Sequence, residues 1–226
     1  MCFRAAGSLL ALSGSLGGVT RVVFAALMLA ACTSTIVPGP VWKTVVPRQV
    51  TRTDQVGNVL GPVTDAATWT ELEARPLRLP SLAPGGSCPV SPSATFPGSA
   101  VGAGAGDGPV YPVTGAGWIG LGPAGAEGLR PGKILWPARP DYAGPAVIRG
   151  VRLDGPGDVR FATGESVLHF DLDTHTRAGD ATEGSVLGWR YLPSAVYVPA
   201  AGCYGFQIDL PDRTISITLV ARAQSS

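Results

Sequence analysis

The chain has 226 residues, and its 31 Gly and 21 Pro together are nearly twice the usual share of roughly 12%. Charged residues make up only 15% and apolar ones 45%, a mix that excludes a helical bundle or coiled coil and, being apolar with little net charge, excludes wholesale disorder. The glycines keep no triplet period, which excludes collagen, so a turn-rich, all-β chain remains. Lys+Arg number 17 and Asp+Glu 16. No basic stripe is present, and nucleic acid is not expected as a partner.

Residues 22–31 read Val-Val-Phe-Ala-Ala-Leu-Met-Leu-Ala-Ala and follow Arg21. As a helix this run rises about 15 Å, half of a ~30 Å hydrocarbon core, so it is too short to span a membrane. It suits the apolar region of a signal peptide. The run ends in Leu29-Ala30-Ala31-Cys32, which resembles the lipobox of bacterial lipoproteins at every position. The resemblance implies that residues 1–31 are a lipoprotein signal peptide and that Cys32 is lipidated as the mature N-terminus. It further implies a lipid anchor in the cell membrane or outer membrane, with the rest of the chain facing the extracytoplasmic side. Thr33 stands where an Asp would signal inner-membrane retention. Removing Arg4 and Arg21 with the leader takes the formal net charge from +1 to −1. The long stretch before Arg21 holds a second mild apolar run, Leu9 to Leu12, so a later start such as Val19 is an alternative expectation.

Residues 32–64 have scattered Pro and Gly with few periodic apolar positions and read as a lipidated tether, to which Val41–Val46 could add a strand. Residues 65–87 are expected to hold one short helix and an extended lead-in. The helix is placed over Asp65–Arg75, with Thr68 and Glu71 at capping-box spacing and a stop before Pro76. From residue 88 to 223 the pattern is β. Val110–Val113, Gly117–Leu121, Lys133–Trp136, Ala146–Leu153 and Val159–Ala162 are candidate strands, with Asp154-Gly155-Pro156-Gly157 a turn. Leu168, Phe170 and Leu172 alternate with polar residues, as on a half-buried strand. Trp189–Leu192 and Ala195–Val198 flank Pro193 and read as one strand broken at an edge or bulge. Tyr204, Phe206, Ile208 and Leu210 alternate, as do Ile215, Ile217 and Leu219, and Pro211–Thr214 between them reads as a hairpin loop. This spacing predicts an antiparallel β-sandwich, immunoglobulin-like in layout.

Of the four cysteines, Cys2 goes with the leader and Cys32 with the lipid. That leaves Cys88 and Cys203 as one pair in an exported domain, and a disulfide is the expected fate. Cys203 alternates with Tyr204 and Phe206, so the bridge should staple the N-terminal segment to the sandwich surface.

The most chemical stretch is His169 to His175, where His169, Asp171, Asp173 and His175 share one strand face. A His/Asp set suits Zn²⁺ or another borderline cation, and the two Asp suit Ca²⁺. A solvated outer face is the plainer account of the same pattern. Gly115 to Gly120 matches G-x-G-x-x-G, but the Gly and Pro that follow forbid the helix a dinucleotide site needs. Gly102–Gly108 reads as a flexible loop without the Gly-Lys-Ser/Thr of a P-loop. No cofactor is therefore expected. The five Trp and five Tyr are core packing or a stacking platform, and no serine lies in a G-x-S-x-G elbow. The expected function is a non-catalytic envelope module that binds or scaffolds a protein, glycan or small ligand. A metal-binding protein using His169–His175 and a hydrolase of unrecognised type are the alternatives.

Overall fold

The computed structural model describes residues 43–53, 59–83, 85–94, 103–162, 164–171 and 189–224. The chain divides into two units at Pro40/Val41, and every described residue belongs to the second. Its described residues are mostly β, with antiparallel sheets and one helix. Its strands are β1 (Gln49–Thr53), β2 (Val59–Thr64), β3 (Ser93–Ala94), β4 (Ala103–Ala105), β5 (Val113–Thr114), β6 (Ile119–Leu121) and β7 (Arg130–Ala138), followed by β8 (Ala146–Arg152), β9 (Arg160–Phe161), β10 (Val167–Phe170), β11 (Arg190–Val198), β12 (Gly202–Asp209) and β13 (Thr214–Ala223). The helix, α1, spans Ala66–Glu73.

Two sheets face each other. One runs β10-β8-β12-β13-β6 and the other β3-β4-β5-β7-β11-β9, while β1 and β2 pair separately. Trp136, Phe161 and Val196 from the six-stranded sheet meet Ile148, Tyr204, Phe206, Ile208 and Ile217 from the five-stranded sheet in one buried cluster. Trp136 and Phe206 touch edge to face, with ring centroids 5.8 Å apart, the arrangement that aromatic quadrupoles favour. The hairpin at residues 204–219 forms as the alternation predicts, paired from Gly202↔Ala221 to Asp209↔Thr214. Leu210 N–H donates to Arg213 O across its loop at 2.8 Å.

Pro193 does not break its strand. β11 pairs with β7 without interruption from Arg190↔Ala138 to Val198↔Arg130. Within a strand a residue's N–H and C=O point to the same side. The carbonyls of Pro131 and Pro137 accept from Gly122 and Tyr111, so both prolines turn their missing donor away from β11. Pro193 opposite Leu135 is in the same phase and turns its own toward β9, which pairs only with Val196 and Tyr197. All three prolines therefore leave the β7–β11 ladder intact.

The outer face of the five-stranded sheet is covered along β12. Cys203 through Leu210 are all buried on both faces, because residues 75–91 cross that face as an extended strap. Gln207 Nε2 donates to Pro76 O at 3.1 Å, and its Oε1 accepts from Arg78 N–H at 2.6 Å. Ser216 donates to Arg78 O, and Ser91 and Thr218 exchange two bonds of 2.9 Å. Cys88 and Cys203 lie at disulfide distance, S–S 2.06 Å, across 115 residues. Closing a loop of this size contributes roughly 4.7 kcal/mol in the chain-entropy model.

The strap and α1 are held by a buried charge cluster. The Asp209 carboxylate is 0% exposed and accepts from Arg149 at 2.6 Å, Thr214 Oγ1 at 2.6 Å and Gln207 Nε2 at 3.0 Å. Arg149 also donates to Glu73 O and Arg75 O at the C-terminal end of α1, where the helix dipole favours a cation. Buried Arg75 reaches the carbonyls of Leu210, Arg213 and Pro211.

The helix N-cap is Asp65 and not Thr68. The Asp65 carboxylate accepts from Thr68 N–H at 2.7 Å, which satisfies a first-turn donor, while Thr68 is buried and its hydroxyl accepts from Arg48 N–H. Hydrogen bonds from the Thr68 side chain and N–H, aided by the Arg48 guanidinium, outweigh partial desolvation and hold the Asp65 carboxyl below its ordinary range. Leu72 buries its side chain against Val45 and Val147, worth roughly 1.5–3 kcal/mol. Within the stretch 32–64 expected as a tether, the described residues 43–53 and 59–64 belong to the fold. Val45 N–H donates to Pro211 O, β1 pairs with β2, and Thr64 is buried. The expected flexible loop at 102–108 contains β4. Gly106 sits there at φ +81°, where a Cβ would fall 2.1 Å from Ile217 Cδ1.

Replacing Asp209 by Asn leaves Arg149 and Arg75 facing a neutral amide. The expected loss is about 3 kcal/mol, read from the midpoint of urea unfolding, and an unchanged midpoint would refute the cluster's role. A second expectation concerns pH. Asp154 is partly desolvated, which raises its pKa. Its bonds to Arg152 Nε at 2.7 Å and to Cys203 N–H at 3.1 Å outweigh this and leave it below the ordinary 3.8. A depressed folded pKa gives stability that is full above 3.8 and lost as pH falls through the lower folded value. The gap in Tm between wild type and Asp154→Asn should be constant at neutral pH and close on acidification below that range.

Candidate functional site

The His/Asp stretch begins on β10, the edge strand of the five-stranded sheet, paired to β8 from Val167↔Arg149 to Phe170↔Ala146. Phe170 is buried in the core and His169 points outward. The imidazole does not stand free. It stacks on Trp69 of α1 at 4.1 Å with planes 9° apart, and its Nε2 lies 2.6 Å from Glu73 Oε1. Asp171 turns to another neighbour and accepts from Thr64 N–H with both oxygens, at 3.1 and 3.3 Å. Its carbonyl accepts from Arg190, whose guanidinium sits 4.9 Å over Phe170 and also binds Tyr142 O and Gly144 O. Burial lowers the Arg190 pKa and raises that of the Tyr142 phenol beside it. The structure thus gives His169 and Asp171 separate protein partners. Asp173 and His175 lie outside the described residues. Among the described residues no three His, Cys, Asp or Glu side chains come together as metal ligands.

A second region lies on the opposite side of the molecule's core, on the outer face of the six-stranded sheet. There the strap has no counterpart among the described residues. The phase that sends Ile134, Trp136, Val196 and Val198 into the core turns Pro131, Lys133, Ala195 and Tyr197 outward. One end of this face is closed by Tyr111, Val113, Trp189 and Tyr191, which pack on each other with partly buried Leu135. The other end is open. There the loop from β6 to β7 curls outward, held by Gly122 N–H to Pro131 O and Gly125 N–H to Leu129 O, each 2.8 Å, and by Arg130 to Gly122 O.

Two adjoining cavities, ≈ 470 Å³ and ≈ 570 Å³, share Pro131 and Tyr197 and form one groove. Both volumes fall in the range of ligand sites, roughly 300–1,000 Å³. The smaller is lined by Leu129, Pro131 and Tyr197, with Glu127 and Arg160 beside them. The larger runs over Gly120 and Gly132 between Trp118 and Tyr197, with Lys133 and Gln224 beside them. The Arg222 guanidinium sits 5.6 Å from the Trp118 ring centroid.

Of the five tryptophans, Trp136 is core, Trp189 belongs to the closed end, Trp69 stacks on His169 and Trp118 lines the groove. Trp42 lies outside the described residues. The G-x-G-x-x-G match ends in β6, which pairs in parallel with β13. The sequence did not single out Lys133, Arg160 or Tyr197. Their signal was the outward phase of their strands, and the register Tyr197↔Arg160 is what joins them. In comparisons with known proteins, no family model and no curated protein matches the chain.

The contact of His169 with Trp69 and Glu73 ties β10 to the helix. His169→Ala should cost about 1 kcal/mol, the scale of an aromatic pair, in chemical denaturation. A neutral effect would mean that the stack adds nothing to docking.

Proposed function

We propose that the protein is a lipid-anchored cell-envelope module that binds or scaffolds another component through its β-domain. The observation that carries this reading is the combination of Leu29-Ala30-Ala31-Cys32 with the pairing of Cys88 and Cys203. Cysteine pairs at disulfide distance belong to oxidising compartments, and the lipobox resemblance supplies the route there. Lipidation of Cys32 would fix the module to the outer side of the cell membrane or to the outer membrane.

The strand layout favours an immunoglobulin-like topology. β6 pairs in parallel with β13 at the sheet edge while the other strand pairs among the described residues are antiparallel. The hairpin strands β12 and β13 lie beside β8 in one sheet, and β7 and β11 lie in the other. Tyr204, near the start of β12, donates its hydroxyl to Ala200 O at 2.6 Å, which is the geometry of a tyrosine corner. That fold hosts many functions, so the binding reading rests on the open groove and not on topology.

Growth of the native host with an alkyne fatty acid, followed by capture of the protein, tests the anchor. Wild type should carry the label and partition into detergent. Cys32→Ser should lose the label and remain an unprocessed precursor. An unlabelled wild type would overturn the reading.

A further inference from the structure

We propose that the groove running from Trp118 past Tyr197 to Arg160 is a binding site for a strand of anionic glycan. This rests on the binding-module reading above and names its ligand class. Trp118 and Tyr197 border the same cavity, and aromatic rings of this kind give a pyranose flat surfaces on which its C–H faces can lie. The exposed Gln224 side chain lies over Gly120, where a Cβ would fall 2.6 Å from its Nε2, and its amide beside the two rings offers a donor and an acceptor to hydroxyls. The two cavities share Pro131 and Tyr197 as lining, so an occupant reaching both is extended more than compact.

Charge decides the class of glycan. Exposed Lys133 and Arg160 line the groove, and exposed Arg222 lies over Trp118. Against these three cations stands one lining carboxylate, Glu127. Neither Lys133 nor Arg160 forms a salt bridge with any described residue. A carboxylated sugar chain would meet both the stacking faces and the unpaired cations. An acidic peptide fits less well. Peptides commonly gain affinity by adding a strand to an unpaired sheet edge, but the floor here is a sheet face whose β7 and β11 ladder is paired along its whole length.

The test uses the full chain purified in detergent, with hexagalacturonate, neutral cellohexaose and oligoglutamate as probes, read by calorimetry and by tryptophan fluorescence. Hexagalacturonate should bind and perturb the fluorescence, cellohexaose at least tenfold more weakly. Trp118→Ala should weaken hexagalacturonate at least tenfold. Lys133→Gln and Arg160→Gln, both at exposed positions where folding is not at stake, should each weaken it several-fold and reduce its salt dependence. Absence of binding, equal binding of cellohexaose, or oligoglutamate binding as tight as hexagalacturonate would overturn the proposal. So would hexagalacturonate binding that Lys133→Gln and Arg160→Gln leave unchanged. No glycan binding by a protein that carries the lipid label overturns the groove assignment alone. Glycan binding by a protein that never acquires the label overturns the anchor alone.

Discussion

A fully buried carboxylate, Asp209, organises one half of this molecule. A lone charge there would be prohibitively costly, and the sequence supplies the compensation from three directions. Arg149 comes from the neighbouring strand, Thr214 from across the hairpin, and Gln207 from two residues back on β12. Arg149 in turn takes the last carbonyls of α1, and Arg75 takes those of the hairpin loop. An eight-residue helix is too short to persist alone. Here its end is fixed by the same cations that the carboxylate requires, so helix, strap and sheet share one electrostatic centre. A hydrophobic residue at 209 would also bury well. It would give Arg149 and Arg75 no reason to meet the end of the helix, and the strap would lose its starting point.

That centre makes the two outer faces unequal. One is crossed by residues 75–91 and carries polar side chains that are satisfied by the strap. The other keeps Lys133, Ala195 and Tyr197 uncovered at one end while aromatic side chains close the opposite end. The groove follows from this asymmetry and from the β6–β7 loop, which walls the open end without crossing it. The prolines of β7 and β11 take part as well. Each faces its missing donor away from the ladder, so the groove floor stays continuous.

Much of the sandwich was legible in the sequence, because its central strands alternate strictly. Tyr204 to Leu210 and Ile215 to Leu219 could be phased by eye, and so could Phe170. Asp209 and Gln207 fall in the other phase of β12, and alternation reports only that two faces differ, not what covers them. The strap carries no periodicity, since extended Pro-rich chain takes its bonds from main-chain groups. The N-cap was misplaced by three residues because Asp65 and Thr68 are both good caps, and burial of Thr68 decided between them. The groove cations were invisible for a plainer reason. An outward Lys or Arg on a strand looks the same whether it faces bulk water or an aromatic wall, and only the register beside Tyr197 tells the two apart.

The position of Cys203 has a mechanical meaning. It lies on β12, which stands third of five in its sheet, between β8 and β13. Tension drawn along the chain from the N-terminal side can strip the hairpin β1–β2, α1 and the first part of the strap, but at Cys88 the covalent link delivers it to that inner strand. Edge strands yield by unzipping one bond after another. An inner strand flanked on both sides must shear many bonds at once. The core and the groove behind it are therefore insulated from a pull that the peripheral segments would absorb first.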